Sequence, residues 1–164
     1  MDAIDAIKVR HSVRQFEPRP IPEELIERIV DCGRVAPTAR KEEPWEFIVV
    51  TDKAALAAMG GMADHGPFIK SAACAIAVCC KETKYYLEDG CAATENMLVA
   101  SASLGIGSCW VAGDKKPYCA KMLELLGAPA GMKLVSIIAL GYPAKKELPL
   151  QKRPLKDVLH WERF

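Results

Sequence analysis

The chain has 164 residues, enough for one domain with a buried core. Hydrophobic residues make up 51% and charged residues 26%, as is usual for a globular protein. Lys and Arg total 22 against 21 Asp and Glu, so the formal net charge of +1 argues against a general nucleic-acid binder.

The sequence also argues against a membrane or secreted protein. No apolar stretch is long enough to span a bilayer, and Asp2 and Asp5 stand where a secretory signal carries basic residues. The seven cysteines are odd in number and form no CxxC pair. This pattern predicts reduced, mostly buried thiols in a cytoplasmic protein, and no metal site.

The first half of the chain is predicted to alternate helices and strands. Asp2 is expected to cap a short helix, and Pro22 to open a second one that ends before Pro37. Residues 46–51 are expected to form a buried strand, after which Asp52 caps a third helix.

The second half continues the alternation. Strands are predicted at 73–80, 108–112 and 133–142, and helices at 87–104 and 117–126. The helix at 87–104 is apolar nearly all round, which is typical of a central helix. The mixture of elements predicts helices layered on a central sheet, and no strand leads into the GxGxxG loop of a dinucleotide fold.

The segment at 10–16 carries the most informative chemistry. It follows a helix and precedes Pro18, so it is expected to be extended, with alternate residues facing the same way. Arg10, Ser12 and Arg14 would then point together and suit a ligand with a phosphate and further acceptor oxygens. A solvated basic strip remains the alternative.

Four further segments allow both a functional and an ordinary reading. The turn at 36–45 could carry binding groups or simply join a helix to a strand. The small residues at 105–113 could admit a flat ligand against Trp110, or form a helix end and a core strand. Residues 151–154 form a basic turn. The apolar segment at 154–164 must fold back on its own domain or pack on a second subunit.

Together these segments resemble the nitroreductase family of FMN-dependent oxidoreductases, nearly from end to end. The resemblance implies one α+β domain over residues 1–164, layered α/β/α around a central mixed sheet. It also implies an intertwined homodimer with two FMN sites at its interface. The motifs are R-H-S-V-R-Q-F at 10–16, A-P-T-A at 36–39, P-W-E-F-I-V-V at 44–50, L-G-I-G-S-C-W-V-A-G at 104–113, A-L-G-Y-P at 139–143 and K-R-P-L-K-D-V-L-H-W at 152–161.

The resemblance also implies roles for the basic segment. Arg10 would bind the FMN phosphate, and Ser12 would reach acceptors near the pyrimidine side of the ring. Arg14 would lie near the N1–C2 edge, where a cation stabilises the negative charge that reduction leaves near N1. A backbone N–H at Ala112 or Gly113 would point toward N5.

Other contacts would come from a second subunit and from the end of the chain. The turn at 37–39 would belong to the partner, Lys152 and Arg153 would complete the phosphate site, and 154–164 would pack on the partner. The expected cofactor-binding residues are Arg10, His11, Ser12, Arg14, Pro37, Thr38, Ala39, Lys41, Trp110, Val111, Ala112, Gly113, Lys152 and Arg153.

Two positions depart from the family pattern. Lys41 and Glu43 stand where the family usually has Asn and Gln, so charges replace neutral amides. The chain is also short for the family, which implies an open and unselective substrate pocket.

The implied activity is hydride transfer from NADH or NADPH, through flavin N5, to a small electron-poor acceptor such as a nitroaromatic or a quinone. No side chain has a catalytic role in this scheme. The alternative is a non-catalytic module that stores or senses FMN. A cysteine hydrolase built on Cys109, with His11, His65 or His160 as base, lacks any pattern that places a base and an orienting acid together.

Overall fold

The computed structural model describes residues 1–146 and 149–164. The predicted helices and strands are all present, with ends that differ by one or two residues. The helices are α1 (Ala3–Val9), α2 (Glu23–Arg34), α3 (Lys53–Met62), α4 (Tyr86–Ser103) and α5 (Cys119–Leu125). The strands are β1 (Trp45–Val50), β2 (Cys74–Lys81), β3 (Gly107–Ala112) and β4 (Met132–Gly141), and single 3-10 turns lie at Ala39–Lys41, Pro67–Ser71 and Leu155–Asp157.

Local signals in the sequence account for the helix starts. The carboxylate of Asp2 accepts a hydrogen bond from the N–H of Asp5 at 2.9 Å, and that of Asp52 accepts from Ala55 at 2.8 Å. Each bond satisfies a donor that the helix itself leaves unpaired. Pro22 precedes α2, which has acidic residues in its first turn.

The four strands form one sheet in the order β1-β2-β4-β3, and each adjacent pair is antiparallel. The α+β class is therefore confirmed. The mixed character expected of the sheet is limited, within the described residues, to an isolated parallel bridge between Ser12 and Ser108. β1 and β3 form the two edges.

Helices cover both faces of the sheet and create two apolar cores. On one face α3 and α5 contribute Leu56, Met59 and Met122. On the other face α2 and α4 contribute Ile29 and Met97. β2 is buried from Cys74 to Cys80 because it is covered on both sides, which explains its continuous apolar sequence.

Two glycines allow α4 to pack closely in the second core. A Cβ at Gly33 of α2 would lie 2.9 Å from the Met97 side chain, and one at Gly90 would lie 2.7 Å from Val135. Both distances are shorter than real Cβ contacts, so a larger residue at either position would have to displace the side chain it meets. α4 consequently lies directly against α2 and the sheet, as its apolar sequence predicts.

Two apolar surfaces stay outside the cores. The side chains of Ile4 and Ile7 on α1 are 63% and 57% exposed. Residues 149–164 are exposed throughout, with Trp161 at 76%. The carboxyl-terminal segment therefore does not fold back on its own chain. No helix in the described part of the chain has the length and apolarity needed to cross a membrane.

Candidate functional site

The basic segment is fixed where α1 ends and β3 begins. The N–H of Arg10 donates to the carbonyl oxygen of Ala6 at 3.0 Å, which closes the last turn of α1. The N–H of Val13 donates to the carbonyl oxygen of Ser108 at 2.9 Å. The Val13 side chain is buried, so its neighbours Ser12 and Arg14 face the other way.

Arg10, Ser12 and Arg14 lie on the segment that bridges to β3 at Ser108, beside Cys109. Burial raises the pKa of the Cys109 thiol, whereas Arg14, the Ser12 hydroxyl and Arg10 each act to lower it. A common ligand for the three side chains stays a prediction.

The two arginines nevertheless extend into neighbouring pockets. Arg10 lies 3.7 Å from Glu95 of α4 and lines a pocket of about 180 Å³ with His11. Arg14 extends to within 5.8 Å of the Phe68 ring centre and lines a pocket of about 200 Å³. The bridge between Ser12 and Ser108 lies between them.

His11 has one satisfied and one unsatisfied ring nitrogen. Its Nδ1 lies 2.9 Å from the carbonyl oxygen of Val9, and its Nε2 is buried without a hydrogen-bond partner among the described residues. A buried polar atom of this kind calls for an explanation. Its position in the Arg10 pocket is consistent with a polar ligand group there.

The outer edge of β3 presents the backbone of Ala112. The carbonyl oxygens of Ser108 and Ala112 accept hydrogen bonds from Val13 and from the Tyr118 hydroxyl, so both point away from β4. Residues of an antiparallel strand alternate between the partner strand and the opposite edge. The N–H of Ala112 therefore also faces the open edge.

Gly113 faces the other way. Its N–H donates to the carbonyl oxygen of Val135 at 3.1 Å, inside the sheet. Of the two backbone donors that the sequence offered for flavin N5, only Ala112 is free to serve. A Cβ at Gly113 would lie 2.4 Å from the carbonyl oxygen of Leu134, so this glycine is needed by the protein's own backbone.

Trp110, Val111 and Ala112 line the same pocket of about 200 Å³ as Arg14. Half-buried Trp110 lies on the strand that ends at Ala112, so it shares the outer edge with that residue. The structure therefore assembles the basic segment and the β3 segment at one place.

The turn at 37–39 lies elsewhere. Thr38 and Ala39 are bonded to Asp89 in the first turn of α4, whereas the Arg10 pocket is lined by Ala102 near the other end of that helix. Asp89 and Ala102 are 13 residues apart, which corresponds to about 20 Å along the axis. Within one chain these two sets of predicted residues do not meet.

The remaining predicted residues are solvent-facing. Pro37 and Lys41 are exposed, and Lys41 has a left-handed backbone with φ of 57°. Lys152 and Arg153 are exposed in the carboxyl-terminal segment. None of the ion pairs among the described residues joins Lys41, Lys152 or Arg153 to the Arg10 pocket.

The cysteine-hydrolase reading gains little from the geometry. His65 lines the same pocket as Cys109, but it is exposed, and no hydrogen bond between the two is found in the described part of the chain. Because burial raises the pKa of the Cys109 thiol, it stays protonated and weakly nucleophilic.

Sequence reasoning missed two residues. Tyr118 orients Ala112 through its hydroxyl, and no sequence pattern links these positions. Asp89 holds the Thr38 turn, and here a signal existed, since an acid stands within a helix that is otherwise largely apolar.

A groove of about 990 Å³ runs between α2 and the free edge of β1. Ile26, Val30, Trp45 and Phe47 are among its lining residues. A second groove of about 540 Å³ lies on the opposite face of that edge, beside Ile48. An unpaired strand edge flanked by grooves can accept another extended segment.

Comparison with known proteins gives matches along nearly the whole chain. Residues 2–163 match the family described as "Putative TM nitroreductase". A protein of Archaeoglobus fulgidus named "Putative NADH dehydrogenase/NAD(P)H nitroreductase" is 39% identical over 149 residues, which cover 87% of this chain and 86% of the relative.

Solved structures agree with the fold. The crystal structure of a protein of that same name from Parabacteroides distasonis superposes with a TM-score of 0.93 and 31% identity, over 99% of this chain and 98% of the other. The FMN-dependent nitroreductase of Clostridium difficile R20291 superposes with a TM-score of 0.93 and 25% identity, over 98% and 99% of the two chains.

Proposed function

Because this chain belongs to the nitroreductase family, we propose that residues 1–164 form one FMN-binding domain that passes hydride from NADH or NADPH to a small electron-poor acceptor. The observation that carries the proposal is that the basic segment bridges to the edge of β3, with Arg10 and Arg14 lining the two pockets beside it. Bound FMN would supply the hydride chemistry at N5, and the protein would bind and orient it.

The Arg10 pocket suits the phosphate. The Arg10 side chain is 24% exposed, and its partner Glu95 is distant at 3.7 Å and itself half exposed. The guanidinium therefore keeps donors for a phosphate, which it binds through paired, charge-assisted hydrogen bonds. His11 lines the same pocket.

The Arg14 pocket suits the ring. Its lining includes Trp110 and Ala112, whose N–H would donate to N5. Tyr118 holds the carbonyl oxygen of Ala112, so it restrains the backbone of that residue. Arg14 would lie near the edge that becomes negative on reduction.

A second copy of the chain would complete each site. Within one chain the Thr38 turn is bonded to Asp89 in the first turn of α4, whereas the Arg10 pocket is lined by Ala102, about 20 Å further along that helix. The exposed segment at 149–164 offers apolar side chains, and the groove between α2 and β1 offers Ile26, Val30, Trp45 and Phe47 among mostly acidic residues. We infer a homodimer in which this segment packs on the partner, where Lys152 and Arg153 reach the phosphate.

A non-catalytic flavin store would need the same residues. The open edge of β3 favours the reductase, because a ring lying against one side of this edge keeps its other face accessible to a nicotinamide. Turnover with a nicotinamide and an artificial electron acceptor distinguishes the two.

The direct test is anaerobic mixing of the purified, FMN-loaded protein with NADH and, separately, NADPH. We expect the yellow absorption near the visible flavin maximum to bleach with at least one donor and to return when a quinone is added. If flavin is bound and neither NADH nor NADPH bleaches it, the proposed reductase activity is wrong. A purified protein that takes up no FMN would refute the cofactor site itself.

A further inference from the structure

Asp89 is a buried carboxylate without a cationic partner. It is 4% exposed, and none of the ion pairs among residues 1–146 and 149–164 includes it. Removing a carboxylate from water is unfavourable unless hydrogen bonds replace the lost solvent. Its place in the first turn of α4 adds the favourable end of the helix dipole.

Among the described residues, the hydrogen bonds of the Asp89 carboxylate all go to one turn that is distant in sequence. One carboxylate oxygen accepts from the Thr38 hydroxyl at 2.8 Å, and the other accepts from the N–H of Ala39 at 3.0 Å. The Thr38 hydroxyl oxygen accepts in turn from the N–H of Glu43 at 3.1 Å. Both ends of the turn at 38–43 are thus tied to the start of α4.

The turn needs such an anchor. Arg40, Lys41 and Glu43 have φ values of 58°, 57° and 45°, in the left-handed region that disfavours residues other than glycine. A backbone of this kind persists only where its surroundings hold it in place. Here the buried Asp89 carboxylate holds the turn in place.

We propose that Asp89 is a positioning residue for the cofactor site. It would not touch the flavin itself. It would hold Thr38 and Ala39 in the conformation that contacts the flavin bound mainly by a second copy. This inference rests on the proposed function and assigns a role to a residue outside the set expected from the sequence.

The test uses three variants of the full chain. Asp89→Asn keeps the shape but replaces one acceptor oxygen by an amide N–H₂, so one of its two donors loses its partner. Thr38→Val removes the hydroxyl, and Thr38→Ser retains it. Thr94→Val is the matched control, because it deletes a buried hydroxyl on the same helix that bonds to Ser136 at 2.8 Å, away from the turn.

We expect Asp89→Asn to raise the Kd for FMN about tenfold or more, as the loss of outer supporting groups commonly does. Thr38→Val should have a similar effect, and Thr38→Ser should restore near wild-type affinity. Because both residues act through one hydrogen-bond chain, the double variant should lose less than the product of the single losses.

The outcomes distinguish a failure of the positioning role from a failure of the proposed function. If the wild-type chain binds FMN and Asp89→Asn binds it within twofold, the positioning role is wrong and the proposed function stands. The role is also wrong if Asp89→Asn loses no more affinity than Thr94→Val at equal thermal stability, or if the double variant is fully multiplicative. A wild-type chain that takes up no FMN refutes the proposed function instead.

Discussion

The hydroxyl of Tyr118 donates a hydrogen bond to the carbonyl oxygen of Ala112 and so fixes the last peptide of the β3 edge. Tyr118 is buried at the start of α5, and its ring belongs to the core beneath the sheet. A core side chain thereby restrains the residue whose N–H we assign to flavin N5.

Replacing Tyr118 by Phe should therefore slow flavin reduction more than it weakens flavin binding. Loss of one hydrogen bond should cost about 1 kcal/mol of folding free energy, or about 2–4 °C in Tm. Stopped-flow reduction by NADH and FMN titration would measure the two effects. Tyr86→Phe is the control, because it also loses a tyrosine hydrogen bond, made to Asp114 at 2.8 Å. Equal effects of both variants on reduction would contradict the assignment.

Replacing Gly113 by Ala should destabilise the fold by about 2–3 kcal/mol. The added Cβ would lie 2.4 Å from the carbonyl oxygen of Leu134, and backbone atoms cannot move aside easily. Gly61→Ala is the control, since its Cβ would meet nothing within 4 Å and alanine favours helix α3. Urea unfolding should show a lower free energy of unfolding for Gly113→Ala and no decrease for Gly61→Ala. A tolerated Gly113→Ala would mean that β3 and β4 are not this close.

Arg10→Ala should raise the Kd for FMN about 10- to 100-fold, from the loss of charge-assisted bonds worth roughly 1.5–3 kcal/mol. The matched control is Glu95→Gln, which breaks the same 3.7 Å ion pair but leaves the guanidinium in place. Fluorescence titration should show weak binding only for Arg10→Ala. Similar losses in both variants would indicate that Arg10 acts through Glu95 and not through a phosphate.

The cysteines predict a pH dependence of stability. Burial raises the pKa of the Cys74 and Cys80 thiols from 9.0 to about 12, and that of Cys79 to about 11. The unfolded chain ionises these thiols near pH 9 while the folded chain keeps them protonated, so stability should be full below pH 9 and fall between about pH 9 and 12. Urea unfolding at pH 8 and pH 10 measures this slope, and Cys74→Ala should reduce it. An unchanged midpoint at pH 10 would contradict the burial of these thiols.

Removing residues 155–164 should convert the dimer to a monomer. Leu155, Trp161 and Phe164 are 70%, 76% and 105% exposed, which leaves their apolar surface available to a second copy. Sedimentation of the full chain, the shortened chain and Trp161→Ala would measure the effect. Lys156→Ala, a change at an exposed charge within the same segment, serves as the control. A shortened chain that remains a flavin-loaded dimer would rule out this segment as the contact.

The helices and strands were predictable because their signals are local. The caps at Asp2 and Asp52 and the unbroken apolar run of β2 depend only on neighbouring residues. The shared face of Ser12 and Arg14, opposite the buried Val13, followed from the alternation of an extended chain. The same reasoning could not choose between Ala112 and Gly113, because that choice depends on the register between β3 and β4.

Other parts of the site depend on contacts that are distant in sequence. The left-handed turn at 40–43 contains no glycine, so nothing in its composition predicts its shape. Asp89 reaches it across 50 positions. The small residues at 105–113 allow either a ligand or a core strand, and Gly107 and Gly113 are crowded by the protein's own atoms, which sequence alone cannot reveal.

The division of each site between two subunits has a genetic consequence. In the proposed dimer each flavin takes Arg10 from one subunit and the Thr38 turn from the other. A mixed pair, one subunit defective at Arg10 and the other at Thr38, holds one site with both defects and one with neither. Two alleles that are each inactive alone would therefore complement each other when expressed together.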